Sequence, residues 1–228
     1  MNTRGLLDQL LKSGQQLLNK QSSAGKPSPG AGGLGSLLSG AGGGALAAGA
    51  MGLLLGSKKG RKVGGKVLTY GGLAALGVLA YKAYGNWQAR QGAGQGAAPQ
   101  TLDRLPPAQA EIHSQAVLRA LVAAAKSDGH IDERERQLIE GEFTRLDNDG
   151  ELQQWLHTEL NKPLDPAEVA RAAQTPEMAA EMYLASVMMV DQENFMERAY
   201  LDELARQLRL DPALRQELEN QVRLASAQ

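Results

Sequence analysis

Four carboxylates have the types and spacing that could do chemistry in this chain. Ala123-Ala124-Ala125-Lys126-Ser127-Asp128-Gly129-His130-Ile131 reads as the end of an apolar helix, an aspartate, a short turn and an acid-rich helix start. Ser186-Val187-Met188-Met189-Val190-Asp191-Gln192-Glu193-Asn194-Phe195 repeats that order. Two such turns packed side by side would gather Asp128, Glu133, Asp191 and Glu197, and clustered carboxylate oxygens suit a hard cation such as Ca²⁺ or Mg²⁺. The same acids also have structural uses. Asp132, Glu135, Asn194 and Glu197 stand where helix caps belong, and Glu133 fits the attraction of a helix N-terminus for negative charge. Asp128 and Asp191 have no such role. Asp147-Asn148-Asp149-Gly150 is not an EF-hand loop, because its glycine falls at the fourth position rather than the sixth.

No other constellation points to catalysis. His113, His130 and His157 are scattered, with no pair at zinc-ligand spacing. The chain has no cysteine, which excludes thiolate ligands, cysteine nucleophiles and disulfides. The glycine-rich runs lack the Gly-Lys-Ser/Thr ending of a phosphate loop, and neither a nucleophile elbow nor a dinucleotide fingerprint is present. The expectation is a protein that is not an enzyme.

The elements that must position the carboxylates are helices with clear punctuation. Pro106-Pro107 open one running to about Ser127, with Ile112, Ala116, Ala120 and Ala123 as buried candidates. Asp132-x-x-Glu135 has capping-box spacing and starts a second near Glu133 to Leu146. A third covers about Glu151 to Leu160. Asp165-Pro166, Thr175-Pro176 and Asp211-Pro212 each supply an N-cap followed by proline at the first helical position. Asn194-x-x-Glu197 caps another, Phe195 to Leu208. This predicts an all-α bundle of about seven helices over residues 105–228, with a weak internal two-fold repeat and no strand.

The other half of the chain is physically different. Residues 1–100 carry eleven Lys/Arg, one acid (Asp8) and 24 of the 27 glycines; residues 101–228 carry thirteen Lys/Arg and 24 acids. Residues 1–20 place Leu6, Leu7, Leu10, Leu11, Leu17 and Leu18 largely on one side of an amphipathic helix, to lie on a membrane or against protein. Residues 21–40 and 87–104 read as flexible linkers. From Pro27 to Ser57 there is no charge, and Gly40, Gly44, Ala48, Gly52 and Gly56 recur every four residues. Small residues at that spacing line one helix face and let a second helix approach closely in lipid.

A second apolar run, Val67 to Tyr81, is bounded by Lys66 and Lys82, with Tyr70, Tyr81, Tyr84 and Trp87 as interface anchors. Residues 41–86 are therefore expected to insert in a membrane. They would do so either as a glycine-zipper hairpin (about 41–57 and 66–84) or as a single span near 66–86. Lys58, Lys59, Arg61, Lys62 and Lys66 form a basic connector at the membrane surface. With no aromatics interleaved among them, they do not predict nucleic-acid binding. For a single span the positive-inside rule puts the C-terminal half outside, whereas a hairpin keeps both termini on one side.

Ala-Lys-Ser-Asp-Gly-His-Ile-Asp-Glu-Arg-Glu at 125–135 and Glu-Arg-Ala-Tyr-Leu-Asp-Glu-Leu-Ala at 197–205 resemble the TerB-like (tellurite resistance) domain. With its hydrophobic glycine-rich first half, the chain is similar to the YebE-like bacterial inner-membrane family of unknown function. The second turn departs from the signature, reading Asp191-Gln192-Glu193 without the glycine of the first. The resemblance implies a helical bundle with an acidic, metal-interacting surface, a link to membrane stress responses and no catalytic activity. The functional expectation is a membrane-tethered module that binds a divalent cation, a protein partner or both, and that oligomerises through its glycine-rich segment. Two alternatives stand beside it: a structural membrane protein self-associating through the zipper, and a soluble metal-binding protein with a disordered glycine-rich tail.

Overall fold

Local capping chemistry sets where most of the helices begin. A computed structural model of the chain describes residues 3–5, 72–91, 98–128, 137, 140–141, 149–190 and 194–227. Seven helices with defined bounds lie among them: α1 (Gly72–Arg90), α2 (Pro107–Ala125), α3 (Gly150–Asn161), α4 (Pro166–Ala170), α5 (Pro176–Met189), α6 (Phe195–Gln207) and α7 (Pro212–Ala227). Asp149, Asp165, Thr175 and Asn194 each accept a backbone N–H of the helix they precede, as does Asp211 for α7. Such caps satisfy donors that a helix start leaves orphaned, each contributing about 1 kcal/mol. Residues 137, 140 and 141 are also helical, within the span expected for the second helix of the bundle. The described residues are all-helical or loop, with no strand.

The helices are arranged around α5. It packs against α1, α2, α6 and α7, and every residue from Met178 to Met188 is buried. A helix that is apolar on all sides has no face to offer water, so the rest of the bundle closes round it. Each large side chain buried in this way stabilises the fold by about 1.5–3 kcal/mol. The two apolar helices of the internal repeat are α2 and α5, and they pack against one another. Ser114 and Ser186, both fully buried there, donate to the carbonyls of Ala110 and Met182 one turn back.

Two expectations change. The packed unit does not begin at residue 105. Leu76, Ala80, Ala83 and Tyr84 of α1 belong to the same core as α5 and α7, and Leu102, in the stretch read as a linker, is buried in it beside Leu105. Gly77 makes this possible, because a β-carbon there would lie 2.7 Å from Asp103 Oδ1 and 2.8 Å from its backbone nitrogen. The Arg104 guanidinium then stacks 3.7 Å from the centre of the Tyr81 ring. Residues 72–86, read as the second membrane arm or the single span, are thus a wall of the helical unit. No helix among the described residues is long and apolar enough to cross a membrane. The second change is Ile112, which is 42% exposed. The buried face of α2 runs through His113, Ala116, Val117, Ala120 and Ala124, one helical position round from it.

Candidate functional site

The four carboxylates of the expected cation site are only partly described. Asp128 follows the end of α2 and is exposed; Glu197 lies in the first turn of α6 and is buried. Glu133 and Asp191 fall outside the described residues, as do the glycine series Gly40, Gly44, Ala48, Gly52 and Gly56 and the basic connector Lys58, Lys59, Arg61, Lys62 and Lys66. Among the described residues, no group of three or more His, Asp or Glu side chains could hold a metal ion.

The chemistry that the fold does assemble lies elsewhere. Glu181, in the middle of α5, is 0% exposed. One of its oxygens accepts the Leu102 N–H at 2.5 Å, and the other is hydrogen-bonded to His113 Nδ1 at 2.5 Å. Burial pushes the Glu181 carboxyl above the usual glutamate range, while the His113 hydrogen bond and the Leu102 N–H oppose that shift by favouring the charged form. Residues 98–105 and the adjoining α2 therefore meet α5, 68 or more residues away, at one carboxyl group. With both oxygens partnered, the group reads as a structural clamp. Its signal in the sequence is a single charge inside an apolar run, Ala179-Ala180-Glu181-Met182-Tyr183-Leu184.

A second polar network ties α2 to α3 and α4. Glu159 accepts Arg119 at 3.2 Å and Lys162 at 2.7 Å, and Lys162 also reaches Glu168 at 2.9 Å. Lys126 donates to the carbonyls of Glu159, at 3.0 Å, and of Lys162. It thereby satisfies carbonyls that the end of α3 leaves open. Burial lowers the Lys126 pKa, opposed by Glu159 and Glu168. The lysine of the Ala-Lys-Ser-Asp-Gly signature thus has a structural job, closing the end of a neighbouring helix.

A groove of about 680 Å³ opens on the surface, bounded by α1, the α4–α5 connection and the α6–α7 turn. Tyr84 and Trp87, edge to face with ring centres 5.1 Å apart, line it together with Ala170, Ala179 and Leu214. Asp211 lies at its edge and accepts the Trp87 indole N–H at 3.1 Å while capping α7. Arg171 and Arg209 also line it. Arg209 has φ 54°, the one positive value away from glycine among the described residues. Sequence reasoning had no access to this groove, since its walls come from three separate stretches of chain.

A relative from Yersinia enterocolitica, described as an uncharacterized protein in the ampR 5′ region, is 36% identical over 109 residues, covering 48% of this chain and 78% of its own. No solved structure matches the chain. The model of the family described as "Protein of unknown function (DUF533)" matches residues 40–222, from the glycine-rich stretch into α7, and the chain belongs to that family.

Proposed function

We propose that this chain is a non-enzymatic module of the bacterial inner membrane, YebE-like with a TerB-like helical unit. In this reading its glycine-rich segment enters the bilayer and self-associates, and its helical unit binds a protein partner or a divalent cation, in envelope or metal stress. The observation that carries the reading is the way the uncharged stretch from Pro27 to Ser57, with its four-residue spacing of small side chains, runs through the basic connector directly into α1. Because α1 is occupied as a wall of the helical unit, the membrane-contacting part lies before residue 72.

The packing supports a definite topology. The Thr3 and Arg4 N–H groups donate to the two oxygens of Glu111 on α2, at 2.6 and 3.1 Å. Both flanks of residues 6–71 are therefore held on one helical unit, and a segment that leaves from and returns to one body enters and exits the bilayer on the same face. The uncharged stretch is shorter than two full crossings of about 20 residues each, which favours a shallow re-entrant loop. Lys12, Lys20 and Lys26 on one side and the basic connector on the other then share one headgroup layer, on the cytoplasmic side by the positive-inside rule.

The absence of native cysteine allows a direct test. Ser22→Cys and Gln216→Cys should both resist a membrane-impermeant maleimide in intact cells and both react once the inner membrane is opened. Labelling of either in cells with an intact inner membrane would contradict the topology, and release of the protein by alkaline carbonate would contradict membrane insertion. Changing Gly44, Gly52 and Gly56 together to leucine should abolish cross-linked oligomers. The cation arm is tested by calorimetry with Ca²⁺ and Mg²⁺ on wild type and Asp128→Asn; saturable binding weakened by the substitution supports it, and no binding removes it.

A further inference from the structure

Arg171 and Arg209 both line the groove, and neither has an ion-pair partner among the described residues. The acid that lines it with them, Asp211, accepts on its Oδ1 from Trp87 Nε1 at 3.1 Å and from the backbone nitrogens of Ala213 and Leu214 at 2.8 and 3.3 Å. Two arginines thus line a cleft in which one oxygen of the single lining carboxylate is taken by other donors. Alanines, leucines and an aromatic pair make up most of the remaining wall, beside Gln174, Thr175 and Gln207.

The backbone at Arg209 adds an independent observation. The N–H of Leu210 reaches the carbonyl of Ala205, and that of Arg209 the carbonyl of Arg206, both at 3.1 Å. This is a Schellman ending to α6, with Arg209 at the left-handed position where glycine has no steric penalty. Stability alone favours glycine there. What arginine adds is a cationic side chain on a residue that lines the groove.

We propose that this groove binds an amphiphile with one carboxylate head and a single apolar chain. The volume falls within the range of about 300–1,000 Å³ that small-molecule sites occupy. The planar guanidinium fork matches a carboxylate through paired N–H···O bonds. Tyr84, Trp87, Ala170, Ala179 and Leu214 supply the surface that would take the chain out of water.

The test uses the full chain in lipid nanodiscs with Trp155→Phe, so that Trp87 is the sole indole reporter. Partitioning of the probe into lipid is common to all variants and cancels between them. Titration with dodecanoate below its micelle concentration should give a saturable change in Trp87 emission. Arg171→Gln and Arg209→Gly should each raise the apparent Kd about tenfold, which corresponds to losing about 1.4 kcal/mol. Arg209→Gly should melt no lower than the parent, so weakened binding in that variant cannot come from unfolding. Dodecyltrimethylammonium, with the same chain and the opposite charge, should produce no saturable response. The proposal is overturned if dodecanoate gives no saturation, if both variants bind as tightly as the parent, or if the cationic amphiphile binds equally well. Tighter binding of dodecyl phosphate than of dodecanoate would overturn the carboxylate assignment.

Discussion

Helices α1 and α5 are both apolar and rich in small residues, yet they hold their places differently. In α5 every residue from Met178 to Met188 is buried, and its one charge in that run, Glu181, is clamped by His113 and Leu102. In α1 only one side is buried, through Leu76, Ala80, Ala83 and Tyr84, while Val78 is 40% exposed. Polar contacts near its C-terminus fasten α1: Asn86 and Arg90 to Glu217, at 2.7 and 3.1 Å, and Trp87 to Asp211 at 3.1 Å. Apolarity therefore does not separate a core helix from a membrane helix. What places α1 in the bundle is complementarity at particular points, with Gly77 admitting Asp103 and carboxylates of α7 and its cap meeting the donors of α1.

The comparison can be broken most forcefully at Glu181. Replacing it with alanine leaves His113 Nδ1 and the Leu102 N–H buried without their acceptor, and should cost about 3–5 kcal/mol in urea unfolding. The pH dependence sharpens this. Because the folded-state pKa of Glu181 is raised, folding holds its proton more tightly than the unfolded chain does. The stabilising effect is full below the ordinary glutamate range and fades as pH rises through the raised value. The stability of wild type relative to Glu181→Gln should accordingly fall with rising pH across that window; a difference independent of pH would disprove the shift.

Smaller effects are expected on α1. Gly77→Leu drives side-chain atoms into the backbone of Asp103 and should cost about 1–3 kcal/mol, read as a lowered urea midpoint. Trp87→Phe keeps most of the packing but removes the bond to Asp211, for a loss of about 1 kcal/mol. The smallest change has the opposite sign: Arg209→Gly removes a left-handed β-carbon and should raise stability by about 1 kcal/mol in thermal melts. If Gly77→Leu were neutral, the close approach of residues 98–105 to α1 would not be what fixes that helix.

Much of the fold was legible because it is local. Asp165-Pro166, Thr175-Pro176, Asn194 and Asp211-Pro212 mark helix starts through bonds spanning two or three residues, and each of them caps where the pattern says it should. Ile112 shows the limit: it sits one position off the buried stripe of α2, a rotation that only the neighbouring helices fix. The carboxylate site was drawn from two turns of which Glu133 and Asp191 lie outside the described residues.

The sequence by itself determined the all-α class, the helix starts and the split between a basic glycine-rich half and an acidic half, because capping and charge are properties of neighbours along the chain. Only the tertiary structure decided that α1 belongs to the bundle, that Glu181 finds His113 across 68 residues, and that Arg171 and Arg209 line one groove. Those facts depend on which surfaces fit together, and close packing is a relation between distant segments that no local pattern encodes.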